Sequence, residues 1–345
     1  MNIISTDNYF AGVEDNMSSL TEGPVFIETK RNFLCGINNN NTNLFFRLGY
    51  LIWVLKGANL IEPLQYYAKF MDACTDDGET LRGAYGPRMR YWVGPDALQE
   101  ATDRNNMIDE LEDKVKPIGI DQLQAVFLDL NEGMQSSVMQ IFDPSIDFGE
   151  TNNVPDLNRI EFHIENGKLN MVMNYLNVHL NRFIYNDIWV FSMIQMIFAS
   201  FIKDLKVGHT YITIGKTEYI LPYKDNLKVD YDLPSTSSEL LKVSPNKFWE
   251  DFEYVKDFEK HLRMQINEEI FANTQIAPID LIKRLEDRLV NKVKNEFLKD
   301  VCYSIIICAI KTKALNPSIY DDYMEETMNK IHYLETKYEA SIYSL

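Results

Sequence analysis

The chain has 345 residues, 46% hydrophobic and 25% charged, which suits one large soluble domain or a domain with a substantial extension. A formal net charge of −17 and a pI near 4.8 argue against a broad electrostatic footprint on DNA, RNA or an anionic membrane. Cys35, Cys74, Cys302 and Cys308 form no CxxC pair and have no histidine at ligand spacing, so no metal is expected.

The first fifteen or so residues are polar and peripheral in character. A Gly23-Pro24 turn leads into apolar alternation from Val25 to Leu34, and the run from Ile37 to Asn43 has the composition of an exposed loop. Apolar residues at helical spacing predict a helix over Leu44 to Leu55, with Gly57 as its C-cap, and a second helix over Glu62 to Cys74. A helix over Asp121 to Leu130 and a strand over Val138 to Phe142 follow. Ile160, Phe162 and Ile164 alternate before Asn166-Gly167, and Leu169, Met171 and Met173 alternate after it. That is a β-hairpin signature, because Asn-Gly supplies the positive φ of a type I′ turn. A long apolar helix is predicted from Asp187 to about Lys203, and a strand over Thr210 to Ile214 before Gly215.

After residue 228 the texture changes. Pro234 to Ser238 reads as a linker, and amphipathic helices follow. Ser244-Pro245 suits an N-cap and first helical position, with Phe248, Phe252, Val255, Leu262 and Ile266 forming one stripe. Further helices are predicted after Pro278 and Pro317. Two regions are therefore expected, 1–228 and a helical region 229–345. Cys302 and Cys308 lie in an apolar helical run that predicts reduced, buried thiols. No charged-then-apolar leader opens the chain and the run 301–310 is too short to span a bilayer. A reducing, cytoplasmic location is expected, the host cytoplasm for a viral protein.

Four segments in register resemble the thymidylate synthase and deoxycytidylate hydroxymethylase family, in particular its phage and archaeal branch. They are Leu51-Ile52-Trp53-Val54-Leu55-Lys56-Gly57, Gly83-Ala84-Tyr85-Gly86-Pro87-Arg88-Met89-Arg90, Ile141-Phe142-Asp143-Pro144 with Val154-Pro155, and the helix from Asp187 to Gln195. The resemblance spans roughly residues 20–223. It implies an α/β (α+β) fold in which a bent sheet forms the back of a homodimer, with helices and the active site on the other side; the C-terminal helices are an extension. It also implies a chemistry. A cysteine thiolate adds to pyrimidine C6, and C5 takes a one-carbon unit from methylenetetrahydrofolate. A glutamate relays protons, arginines hold the 5′-phosphate, an Asn or Asp reads the base edge, and a His-x-Tyr pair meets the sugar.

Aligned on Val154-Pro155, the nucleophile position holds Asp156 and the glutamate position Tyr50. The phosphate arginines fall on Thr21, with Glu22 beside it, and on Gln135 or Ser136. The family's Arg-Ser falls on Leu176 and Asn177, and its His-x-Tyr on Glu218 and Ile220. A carboxylate is a harder and weaker nucleophile than a thiolate for conjugate addition; it can serve instead as a general base, attack a sugar C1′, or simply cap a turn. Asp187 sits at the base-reading position, with Asn186 taking it if the register shifts by one, although an Asp also suits a helix N-terminus. Tyr85, Arg88 and Arg90 complete the expected ligand-binding set, their motif being structural as much as functional. His179 aligns with an acidic family position and is expected to be an ordinary surface or packed histidine.

Losing the charge-assisted arginine contacts removes most of what holds a nucleotide phosphate. The expected function is therefore a thymidylate synthase-fold pseudoenzyme with a structural or protein-partner-binding role. The alternatives are a pyrimidine nucleotide- or nucleoside-modifying or hydrolysing enzyme that uses Asp156, and a non-catalytic nucleotide sensor. No cofactor is expected, folate included. The expected partners are a second copy or a synthase-like hetero-oligomer, and a protein reached through the C-terminal helices; neither nucleic acid nor membrane is expected.

Overall fold

A computed structural model describes residues 3–5, 24–29, 37–38, 44–67, 75–92, 119–148, 153–179, 184–218, 228–229, 244–267, 287 and 292–313. The predicted hairpin is its centre. Strands β5 (Leu157–Glu165) and β6 (Lys168–His179) pair antiparallel across Asn166 and Gly167, which adopt φ of 52° and 71°, the left-handed region a type I′ turn needs. The chain then crosses over through helix α6 (Ile184–Phe201) to β7 (Lys206–Glu218), which lies parallel to β6. With β1 (Ile3–Ser5), β2 (Val25–Thr29) and β4 (Ser136–Gln140) these strands make one mixed six-stranded sheet, ordered β1-β2-β7-β6-β5-β4. A separate two-stranded ribbon joins β3 (Ile37–Asn38) to β8 (Lys228–Val229), so the run read as a loop begins with a short strand; residues 39–43 lie outside the described residues.

Alternation decides which face of the sheet is covered. Ile160, Phe162, Leu169, Met171, Met173, Tyr175, Ile212 and Ile214 point inward and are buried, while Glu161, Val172, Asn174, Tyr211 and Thr213 lie half-buried on the other face. Two helices pack on or near the inner face, and both are apolar around their whole circumference, as helices buried on all sides must be. One is α6. The other is α1 (Leu44–Lys56), ended as predicted by Gly57 at φ +82°. Where α6 crosses the irregular register between Leu169 and Met171, Gln195 repairs the ladder: its amide donates to the Leu169 carbonyl at 2.8 Å and accepts from Thr210 at 3.0 Å.

Around this centre lie α2 (Glu62–Tyr67), α3 (Tyr85–Arg90), α4 (Gln122–Asn131, N-capped by Asp121) and the single turn α5 (Pro144–Asp147). Beyond residue 228, α7 (Pro245–Asn267) and α8 (Glu296–Lys313) share the same hydrophobic core. Ser244 caps α7 as expected. Phe248 meets Phe201 at 5.4 Å, Tyr67 donates to Glu259 at 2.9 Å, and Arg263 pairs with both Glu259 and Glu62. Cys302 is a free, buried thiol whose pKa burial pushes up. The linker 234–238 and the helices predicted after Pro278 and Pro317 lie outside the described residues. Among the described residues, no helix is long and apolar enough to cross a membrane.

The segment from Gly83 to Arg90 ties these elements together. A Cβ on Gly86 would stand 3.0 Å from backbone atoms of Gly57 and Val54, so only glycine lets α3 rest against the end of α1. Arg88 is buried and bidentate to Asp147, at 2.5 and 2.7 Å, and donates to the carbonyls of Ile141 and Arg82. Arg90 donates to the Leu55 carbonyl, pairs with Asp121 at 3.0 Å and lies over the Trp249 ring. The arginines expected to meet a ligand thus hold α3 to its neighbours. Breaking a buried pair strands the surviving charge, so Asp147→Ala should cost about 3–5 kcal/mol in urea unfolding. A loss under 1 kcal/mol would show that the pair contributes little.

Candidate functional site

Three helices, one strand and the turn before β5 converge on one carboxyl group. Asp187 stands in the first turn of α6, which begins at Ile184, three residues before the predicted start. It is therefore not an N-cap, and its carboxyl turns inward, 1% exposed. Tyr50 of α1 donates its hydroxyl to Oδ1 at 3.0 Å, and Tyr85, the first residue of α3, donates to Oδ2 at 3.0 Å. Tyr175, next on the inward-facing row of β6 after Met171 and Met173, places a third buried hydroxyl near this carboxyl, outside hydrogen-bonding geometry. Asp156, partly exposed just before β5, acts electrostatically on Asp187, Tyr85 and Tyr175. Its backbone carbonyl accepts from Leu176 N at 2.8 Å, which anchors this turn to the strand that carries Tyr175.

Aromatic rings wall the cluster: Phe46 and Trp53 stack on either side of Tyr50, and Phe191 packs on Tyr85. The neighbouring loop is set by Gly83, whose N–H donates to the Asn153 side chain at 3.2 Å. Burial raises the Asp187 pKa to about 7; the hydrogen bonds from Tyr85 and Tyr50 offset part of that rise, and the Asp156 charge adds to it. Burial and then the Asp187 charge push the Tyr85 and Tyr175 hydroxyls well above the usual phenol range. These phenols are hydrogen-bond donors at neutral pH, and the carboxyl they face is poised to gain or lose a proton there. Such a group can act as an acid or a base, or can read a polar edge of a ligand.

The structure therefore brings Tyr50, Tyr85, Asp156 and Asp187 together. Asn186 faces away from the tyrosines, since successive helical residues diverge by about 100°. Its Oδ1 accepts from the Arg47 guanidinium at 3.4 Å. Arg88 and Arg90 belong to the packing of α3. Gln135 precedes β4 and Ser136 begins it, both exposed at the sheet edge, and Leu176 is exposed beside the cluster. Asn177, His179 and Glu218 lie in strands, and nothing is described of their side chains; Thr21, Glu22 and Ile220 lie outside the described residues. Two site residues were missed in the sequence. Tyr175 continues the core-facing alternation of the hairpin but carries a hydroxyl. Arg47 is a lone charge within the apolar run of α1, one turn before Tyr50.

No family model matches the chain. The chain is similar to the deoxyuridylate hydroxymethyltransferase of Bacillus phage SP01, 27% identical over 340 residues, which cover 92% of this chain and 82% of that protein. That relative is an enzyme of the family whose motifs the sequence resembles. The match takes in more of the chain than residues 1–228 supply, so it extends into the C-terminal helices. It gives no support to a catalytically inactive role.

The pKa of Asp187 sets a sign for stability. Folding raises it from 3.8 to about 7, so the folded state holds a proton that the unfolded state releases in between. The corresponding stability is fully present below about pH 3.8 and is lost as pH rises toward 7. With each pKa unit equivalent to about 1.4 kcal/mol, the effect is on the order of a few kcal/mol. Asp187→Asn keeps a neutral side chain at every pH. It should melt above the wild type at pH 8, by a few degrees, and converge with it near pH 4. A lower melting temperature at pH 8 would refute the buried, proton-holding environment.

Proposed function

We propose that this chain is a pyrimidine nucleotide-modifying enzyme that works through a pair of carboxyl groups, Asp156 and Asp187, rather than through a thiolate. The observation that carries this reading is the buried Asp187 carboxyl under Tyr50 and Tyr85, with Asp156 beside it. A dismantled site relaxes toward apolar packing, because an ionisable group in a dry interior costs stability unless it has work to do. Here the carboxyl is kept, surrounded by neutral donors and poised near neutrality.

Two carboxyls in unlike surroundings divide the roles of acid and base. Asp187, buried, delivers a proton to the heterocycle. Asp156, partly exposed, takes the place that the resemblance gives to the nucleophile and acts as base, or attacks the sugar C1′ while the glycosidic bond breaks and the heterocycle leaves with the proton from Asp187. The likeness to a phage deoxyuridylate hydroxymethyltransferase supports a pyrimidine nucleotide as substrate and makes deoxyuridylate the first one to test. Deoxycytidylate is the second, since a carboxyl that exchanges a proton near pH 7 can match either pyrimidine edge. The outer face of the sheet is where this reading places a second copy of the chain.

Incubation with deoxyuridylate and deoxycytidylate, followed by mass analysis of the products, tests the proposal directly. Turnover should fall by about 10²–10⁴ in Asp156→Asn, the usual range for a general acid or base. It should also decline tenfold per pH unit above about 7, as Asp187 loses its proton. Titration calorimetry gives the competing outcome. If no pyrimidine nucleoside or nucleotide binds, the cluster is a remnant and the chain is a scaffold for another protein.

A further inference from the structure

Two residues before Tyr85, the segment that reaches Asp187 also reaches the loop that carries Asp156. The peptide group between Arg82 and Gly83 is held at both of its ends. Its carbonyl accepts from the buried Arg88 guanidinium at 3.1 Å, and its N–H donates to Asn153 Oδ1 at 3.2 Å. The C=O and N–H of a planar trans peptide point in opposite directions, so these two bonds fix its orientation. Arg88 is itself fastened by Asp147, at 2.5 and 2.7 Å. The framework of α3 and α5 thus ends in a backbone donor aimed at one buried side chain, Asn153.

The contact is close as well as polar. A Cβ on Gly83 would stand 2.9 Å from both the main-chain and side-chain oxygens of Asn153 and 3.0 Å from Pro155 N, so a side chain there would push residues 153–155 away. From Asn153 the chain has little freedom before Asp156. Pro155 is buried, its ring fixes its own φ, and it restricts Val154 to extended conformations. Asp156 is tied from the other side, its carbonyl accepting from Leu176 N at 2.8 Å. The turn is therefore clamped between the approach to α3 and strand β6, the elements that place Tyr85 and Tyr175 around Asp187.

We propose that Asn153 is a positioning residue for Asp156: through the peptide group of Arg82 and Gly83 it sets where the Asp156 carboxyl stands relative to Asp187. A side-chain amide accepts from a backbone N–H without bringing a third negative charge to a site that already holds two carboxyls. Gly83 and Tyr85 belong to one short segment, so a single element places both acids. That role rests on the preceding reading only in giving Asp156 chemistry to perform.

Amide exchange and turnover, both measured on the full chain, test it. The variants are Asn153→Ala, Asn153→Asp, Gly83→Ala, Asp156→Asn and the double variant of Asn153→Ala with Asp156→Asn. The Leu176 N–H is a direct reporter, because the Asp156 carbonyl is its acceptor. In Asn153→Ala it should exchange at least about tenfold faster, while amides inside α6 keep the wild-type rate. Gly83→Ala should do the same from the opposite side, and it stands in if Asn153→Ala does not fold. Asn153→Asp keeps an acceptor and should restore most of the protection. With deoxyuridylate or deoxycytidylate, Asn153→Ala should lower kcat at least about tenfold with KM little changed. In the Asp156→Asn background the same substitution should cost nothing further, since a residue that acts through a carboxyl has no effect once that carboxyl is gone. Unchanged exchange at Leu176 in folded Asn153→Ala overturns the positioning role whatever the turnover, and so does an equal loss of kcat in both backgrounds. Faster exchange at Leu176 without turnover by the wild type has a different meaning: Asn153 positions the turn, and the enzymatic reading is the one that fails.

Discussion

A carboxyl group taken out of water must find its partners within the protein, and the arrangement of α1, α3, α6 and β6 follows from that requirement at Asp187. Tyr50 and Tyr85 supply the hydrogen bonds from α1 and α3, Tyr175 of β6 lies close by, and the carboxyl comes from α6. The same chain treats a second buried carboxyl differently. Asp147 receives a bidentate arginine, which fastens α3 to the turn at α5. Phenols have no charge to give, so Asp187 is held in position without being held in one protonation state. One buried acid is paired with a guanidinium and the other faces only phenols, and this contrast separates framework from chemistry.

The parts of the fold that local rules control were legible in the sequence. The Asn-Gly hairpin, α1 with its glycine cap, the helix α4 after Asp121 and the Ser244 start of α7 each depend on neighbours a few residues away. What was illegible depended on distant partners. Strand β7 runs well beyond the apolar core of Thr210 to Ile214, because its polar ends pair with β6 and not because of their own propensity. The site divided in the same way. Motif resemblance found Tyr50, Asp156 and Asp187 as separate positions, but not that the tyrosine hydroxyl would serve the aspartate. Arg88 and Arg90, conspicuous as charges beside a glycine motif, turned inward because buried carbonyls and carboxylates were there to receive them.

The helices after residue 228 bear on the site through the framework. Arg90 reaches Trp249 of α7, and α8 packs against α1, the helix that presents Arg47 and Tyr50. Asp251 accepts from the backbone of Lys294 and Asn295 and so sets the start of α8. A change in how α7 and α8 sit would thus be transmitted to the site by the position of α1, with no contact to a ligand.

The contacts that define the site are separated by long stretches of chain: 137 residues for Tyr50 with Asp187, 102 for Tyr85 with Asp187 and 139 for Arg47 with Asn186. Each closes a loop whose entropy has to be overcome before the contact contributes anything. The hairpin, α6 and β7 are local by comparison and can form without them. The site therefore forms only where distant parts of the chain have met. A ligand held at Asp187 together with Tyr50 and Tyr85 would join α1 and α3 to the β6–α6–β7 unit and oppose opening of the entire chain, by an amount set by its concentration relative to its dissociation constant.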